Sequence, residues 1–168
     1  MYRNAHRLLV LVNQLLDFRK GEMSSHHLSL SEGDIITYIQ GVCDSFLLMA
    51  DKKQIHFSFF SSVDHFTMAF DADKVGKIVM NLLANAFKFT PENGTIEIKL
   101  SQFTKEGERW LRYQVSDTGI GMPAEHVKHI FESFYQIDVH HAGSGIGLAL
   151  VKAFVEMHGG TIAVDSGE

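Results

Sequence analysis

The stretch NLLANAFKFTP, from Asn81 to Pro91, decides how the rest of this chain is read. It places Asn81, Asn85 and Lys88 within about two turns of one predicted helix, at spacings of four and three that bring the three side chains to one face. Amide oxygens and an ammonium on one face suit a hydrated magnesium ion and a polyphosphate, because Mg²⁺ takes oxygen ligands. A second block, DTGIGM (Asp117 to Met122), sets a carboxylate directly before two glycines, so a flat base can approach bare backbone while the acid accepts from an exocyclic amine. A third, GSGIGLALVK (Gly143 to Lys152), is a glycine cluster leading into an apolar helix, where free N–H groups and the helix dipole favour phosphate. Each block alone is a weak signal. In this order and together they describe a nucleotide pocket.

Bulk properties narrow the field. At 168 residues the chain fits one domain with an appendage. A globule of this size buries roughly 68–70% of its unfolded surface, enough for a core without staples. A net charge of −5 and a pI near 6.0 argue against a nucleic-acid partner held by phosphate neutralisation. The single cysteine, Cys43, excludes an internal disulfide framework and points to a reducing, cytoplasmic compartment. No apolar run approaches the ~18 residues of a membrane span, so any anchor of a longer parent lies outside these residues. Ten histidines are present. Glu125 precedes His126 and His129 without the spacing of a zincin helix, and His26–His27 and His140–His141 fall in polar or loop-like sequence.

Residues 2–20 predict one helix with an apolar seam at Leu8, Leu11, Leu15 and Phe18, which resembles a bundle or coiled-coil helix in need of a partner. Gly21 and the polar run to His27 predict a linker. Ser31 and Asp34 have the spacing of a capping box, opening a helix through Ile35, Ile39, Val42, Phe46, Leu47 and Ala50. Ile55–Phe60 and Phe66–Phe70 predict short strands, and Asp71 an N-cap for the helix carrying Asn81 and Asn85. Thr95–Leu100 and Arg109–Ser116 predict strands joined by the polar turn Lys105–Glu108. Pro123 suits the first turn of a helix reaching about Tyr135. A helix from about Gly147 to His158 stops at Gly159–Gly160, and Thr161–Val164 predicts a last strand. The expected architecture is α+β: a mixed sheet with three long helices layered on one face, plus the N-terminal bundle-type helix. The glycine cluster follows a polar loop and reads Gly-x-Gly-x-Gly, so it fails the dinucleotide fingerprint and the Walker lysine pattern.

With these blocks in order, the sequence resembles the catalytic, ATP-binding domain of a bacterial sensor histidine kinase, in the superfamily that includes gyrase B and Hsp90. The blocks are an asparagine box (NLLANAFKF), a first glycine box (DTGIGM), a phenylalanine box (FESFY, with Phe131 and Phe134) and a second glycine box (GSGIGLAL). The wording is most like hybrid two-component kinases. The resemblance implies a two-layer α/β sandwich of the Bergerat ATP-binding type over residues 31–168. Residues 1–21 would be the end of the second dimerisation and phosphotransfer helix, and 22–30 a linker. It implies ATP and Mg²⁺, with Asn85 as the principal metal ligand and Lys88 on phosphate. Asn81 would stand where gyrase-type ATPases place a glutamate base, and an amide cannot take a proton, so hydrolysis should be slow. Asp117 would accept from the adenine N6 amine and reject guanine. Gly119 and Gly121 would let backbone approach the base, while Gly143, Gly145, Gly147 and Leu148 would form the lid hinge and helix start over the phosphates. Implied partners are the dimerisation and phosphoacceptor domain of the same kinase, a response regulator receiver domain, and a second copy in a full-length homodimer.

The sequence departs from that pattern in three ways. No phosphoacceptor box is present: His6 is followed by Arg7 rather than an acid. The lid from Gln136 to Ala142 has no arginine or lysine. The chain stops at Glu168, where relatives continue into another strand, so the last strand is expected to be truncated. Two other functions compete with the kinase reading. One is a self-sufficient ATPase clamp, against which Asn81 argues. The other is a non-catalytic nucleotide-binding or partner-binding module.

Overall fold

A computed structural model describes residues 27–137 and 144–167, and the predicted helix over 2–20, its His6 and the linker to residue 26 lie outside them. The chain divides into two compact units, with Ser29–Gly121 in one and Met122–Gly167 in the other. In the first, the elements run β1 (Ser31–Asp34), α1 (Ile35–Asp44), α2 (Leu47–Lys53), β2 (His56–Ser61), β3 (Thr67–Phe70), α3 (Ala72–Phe89), β4 (Thr95–Lys105) and β5 (Glu108–Asp117).

Two sheets form in this unit. β1 pairs antiparallel with β3, Ser31 opposite Phe70 and Asp34 opposite Thr67. β2, β4 and β5 make a mixed three-stranded sheet in that order. β2 runs parallel to β4, from His56 opposite Thr95 to Ser61 opposite Leu100, and α3 lies in the crossover that parallel pairing requires. β4 and β5 form a hairpin from Ile96–Asp117 to Lys105–Glu108. Its two-residue turn, Glu106–Gly107, has φ of +54° and +83°, the left-handed pair that matches strand twist.

Period-two alternation turns Ile96, Ile98 and Leu100 of β4 to one face, where each is fully buried. α3 meets that core with Val75, Val79, Leu83, Ala86 and Phe87, a stripe at helical spacing. Phe87 stacks on Phe46 with ring centroids 5.4 Å apart and lies tilted against Phe57 at the same separation. α1 adds Ile35, Ile36, Ile39 and Cys43. It packs on α3 with Tyr38 donating its hydroxyl to the Ala72 carbonyl. A side chain at Gly76 would put Cβ 2.7 Å from that Tyr38 oxygen, so glycine is what admits the approach.

Four sequence expectations need correction. Ser31–Asp34 is a strand rather than a capping box. Asp34 itself caps α1, its carboxylate accepting from Ile36 N–H, the Thr37 hydroxyl, the His65 ring and Phe66 N–H. The Thr37, His65 and Phe66 bonds hold its acid well below the ordinary carboxylate range. The single helix expected through Ala50 breaks after Asp44, where the Ser45 hydroxyl donates to the Val42 carbonyl at 2.6 Å and competes with the helical ladder. The helix expected from Pro123 to Tyr135 is only Ala124–Val127, called α4. After it the backbone runs in three-residue turns, His129 N–H to His126, Glu132 to His129 and Tyr135 to Glu132. Thr161–Val164 alternates exposed and half-buried residues yet forms no ladder among the described residues, and alternation alone does not make a strand without a paired neighbour.

α3 begins at Asp71, the N-cap expected from sequence. Its buried carboxylate accepts from the Lys74 N–H at 3.1 Å, the Lys74 ammonium at 2.6 Å and the Ser29 N–H at 2.9 Å. Burial alone would raise its pKa, but the Lys74 and Ser29 bonds outweigh it and lower the value to about 2. A depressed carboxylate stabilises the fold above its unfolded pKa of ~4, and that stability is lost as pH falls through the folded value. Asp71→Ala is therefore expected to cost about 1–3 kcal/mol at pH 7, the range of a lost cap plus orphaned donors. In urea unfolding, its difference from wild type should narrow as pH falls from about 4 toward 2.

Candidate functional site

The polar face of α3 lies opposite its core stripe. At 100° per residue, Asn81, Asn85 and Lys88 stay within about 60° of one another, while Val79 and Leu83 point to the other side. The Asn81 amide nitrogen donates to the Lys77 carbonyl at 2.8 Å. Asn85 is half-buried, and its side chain has no hydrogen-bond partner among the described residues. Lys88 is exposed, with its ammonium 4.5 Å over the Phe89 ring; lost hydration pulls its pKa below the ordinary lysine value.

The segment after β5 reaches the end of this same helix. Asp117 Oδ1 accepts from the Gly119 N–H at 2.9 Å, which anchors one carboxylate oxygen and leaves the other for a donor. A Cβ on Gly119 would sit 2.9 Å from the Phe89 carbonyl oxygen and 2.6 Å from Asp117 Oδ1. Only glycine lets the loop close on the last turn of α3. Gly121 takes φ +65°, in the left-handed region. Asn81, Asn85, Lys88, Asp117, Gly119 and Gly121 thus belong to one compact unit, with Asn81 midway along α3, Asn85 and Lys88 in its last turns and Asp117 beside its end.

Sequence reasoning missed the brace behind this junction. Thr118 N–H donates to the Thr95 carbonyl at 3.0 Å, and its hydroxyl accepts from Thr95 N–H at 2.9 Å. The turn from Pro91 to Gly94 closes with a 3.1 Å backbone bond, with Asn93 at φ +65°. A Cβ on Gly94 would meet Thr90 Cγ2 at 2.4 Å. The Asn93–Gly94 pair was the available signal. Thr90 Oγ1 is buried there without a hydrogen-bond partner among the described residues.

The second glycine block lies in the other unit, and Gly143 falls outside the described residues. Gly147 and Leu148 open helix α5 (Gly147–Met157), whose Leu150, Val151 and Phe154 are buried. Ser144 Oγ accepts from Ile146 N–H at 3.2 Å just before it. Gly145 has φ +67°, and a Cβ on it would sit 2.7–2.8 Å from the Phe134 backbone and the Tyr135 carbonyl oxygen. Its carbonyl accepts from Phe134 N–H at 2.8 Å. A backbone bond therefore ties the phenylalanine block to the second glycine block, with Phe134 59% exposed at φ +68° rather than in the core. His126 and His129 bond locally, to the Tyr135 hydroxyl and to Glu132.

Comparison with known proteins identifies the family of this fold. Residues 70–168 match the family described as histidine kinase-, DNA gyrase B-, and HSP90-like ATPase. Hybrid signal transduction histidine kinase D of Dictyostelium discoideum is 36% identical over 167 residues, covering 96% of this chain and 11% of that protein. The structure of full-length ShkA in complex with AMPPNP superposes with a TM-score of 0.77 at 33% identity, over 90% of this chain and 31% of that one. The nucleotide-free catalytic domain of histidine kinase ThkA gives a TM-score of 0.68 at 25% identity, over 77% and 81%. The chain belongs to this ATPase family and carries the ATP-binding catalytic domain of the sensor histidine kinases. It spans only about a tenth of the first curated relatives' length, 11% and 12%. Among the described residues no helix is long and apolar enough to cross a membrane.

The Gly119 contact can be tested before any ligand is added. Gly119→Ala is expected to destabilise by about 1–3 kcal/mol, the cost of forcing a methyl against fixed backbone. Gly41→Ala, in α1 with nothing within 4 Å of the added Cβ, should instead stabilise by roughly 0.5–1 kcal/mol. Urea unfolding of the two variants should move in opposite directions.

Proposed function

We propose that this chain is the phosphate-delivering half of a sensor histidine kinase. It binds Mg²⁺–ATP and presents the γ-phosphate to a histidine on a dimerisation domain of its parent protein. The attacking ring nitrogen forms the P–N bond as the bond to the β-phosphate oxygen breaks, and ADP leaves. The observation carrying this reading is the junction of the α3 polar face with the Asp117–Gly119 turn, held by the close approach of Gly119 to the Phe89 carbonyl.

The residues fit a metal–nucleotide pair. Among the described residues Asn85 has an uncommitted amide, whose oxygen is a hard ligand for Mg²⁺, and Lys88 supplies a cation for phosphate. When bound, Mg²⁺ would compensate charge on the polyphosphate. Asp117 keeps one carboxylate oxygen for the adenine amine, and Gly119 and Gly121 offer side-chain-free backbone to the base. Asn81 cannot act as a base for water, which favours transfer over hydrolysis and argues against a self-sufficient ATPase. Gly143, Gly145, Gly147 and Leu148 would provide the lid hinge and helix start near the phosphates. Residues 1–21 would continue the dimerisation helix, with 22–30 as linker. A receiver domain and a second copy complete the proposed partners, in the cytoplasm.

Binding is tested by thermal shift and calorimetry. ATP with Mg²⁺ at a hundredfold over its Kd should stabilise the fold by about 2.7 kcal/mol, with no comparable shift from GTP. Asn85→Ala should weaken binding in Mg²⁺ and lose little further in EDTA, whereas Asp117→Asn should weaken binding under both conditions. Equal shifts with ATP and GTP would overturn the nucleotide assignment, and identical metal sensitivity of the two variants would overturn the division of roles.

Chemistry is tested with radiolabelled ATP. The isolated chain should not accumulate phosphohistidine, since none of its ten histidines is followed by an acid as an acceptor is. A separately supplied acceptor domain should gain acid-labile label slowly, because the tether that raises effective concentration is missing. Stoichiometric acid-labile label on the isolated chain would contradict this.

A further inference from the structure

One carbonyl in the last turn of α3 has lost its helical donor. In a continuing helix the Phe87 carbonyl would accept the N–H of residue 91, but that residue is Pro91, which has none. The preceding carbonyl, of Ala86, is taken by Thr90 N–H at 2.9 Å. Thr90 then turns to φ −83° and ψ 124°, the extended conformation that a following proline imposes, so the ladder ends there. The Phe87 carbonyl accepts instead from the ammonium of Lys53, 34 residues earlier in the chain.

Lys53 is the last residue of α2 and is half-buried. Its charge lies at the carbonyl ends of both α2 and α3, the negative poles of two helix dipoles. Phe46, which begins the same short helix, stacks on the Phe87 ring. α2 therefore grips one residue of α3 twice, through ring and backbone. Next along α3 come Lys88 and then Phe89, whose carbonyl is the surface against which Gly119 closes.

We propose that Lys53 is a positioning residue for nucleotide binding. Its ammonium replaces the N–H missing at Pro91 and fixes the end of α3, and with it Lys88 and the Phe89 carbonyl, in the geometry that receives polyphosphate and base. Lys53 does not touch the nucleotide. This rests on the nucleotide-binding reading above and adds to it a residue outside every recognised block.

The test compares wild type, Lys53→Met, Lys53→Arg and the neighbouring control Lys52→Met in the 168-residue chain. Mg²⁺–ATP affinity is measured by calorimetry at a temperature where urea titration finds each variant folded, and the Lys88, Phe89 and Gly119 amides are followed by NMR. Lys53→Met should weaken binding roughly tenfold, the scale of one charged hydrogen bond, and shift those amides. Lys53→Arg should recover most of the affinity, and Lys52→Met should match wild type. A Lys53→Met that lowers the unfolding midpoint yet binds with wild-type Kd would overturn the proposal, because the bond would then serve folding alone. If Lys53→Met does not fold, Lys53→Gln takes its place under the same criteria. Failure of wild type to bind any adenine nucleotide would sink the functional reading instead, and unmoved amides in the variant would separately sink the role of Lys53.

Discussion

The end of α3 is the constraint on which the site depends. Eighteen residues of helix are buried along one stripe and stop at a proline that can neither donate to the ladder nor let its predecessor remain helical. The chain must then turn through Asn93–Gly94 into β4, and β5 returns beside it. Because Asp117 pairs with Ile96 at the start of β4, the loop after β5 emerges beside the helix terminus. Register delivers the acid of one block to the amides of another, and no long-range side-chain contact is needed to recruit it.

Glycine positions around that point divide by what surrounds them. Gly119 and Gly94 are excluded volumes, where backbone or a packed threonine occupies the space of a side chain. Gly121 is conformational, held at positive φ where a Cβ is strained, and Gly145 is both, with positive φ and its Cβ position taken by the Phe134 backbone. Gly41, in open space, has neither reason. The shared letter therefore conceals different penalties, and the two glycine blocks do different jobs: one admits a close approach to α3, the other locks backbone to the Phe134 turn.

Carboxylates carry much of the local order in the first unit. Asp34 and Asp71 each cap a helix and each also receives a backbone N–H from outside it, Phe66 for one and Ser29 for the other. Both acids are pulled below their ordinary range by these bonds. The His65 ring is pushed the other way by Asp34, so that pair weakens as pH rises through the His65 value. Since His65 is largely exposed, solvent screening keeps its share small.

Much of this was legible in the chain itself, for a physical reason. The faces of α3, the Asp71 cap, the β4–β5 hairpin and the three blocks are local: helical spacing, turn chemistry and a carboxylate beside glycines read the same in sequence and in space. The misreadings share the opposite cause. Ser31 to Asp34 became a strand because Thr67–Phe70 was there to pair with it, and Thr161–Val164 has the alternation of a strand without a ladder. The segment after Pro123 winds in short turns held by bonds such as Phe134 to Gly145. Lys53 had no signal at all, since its partner is a carbonyl orphaned by a proline far along the chain. The ordered blocks by themselves carried the resemblance to the family, and local spacing determined most elements. Tertiary structure alone decided which backbone groups were left unpaired and which distant residue satisfies them, because that depends on where elements end in space.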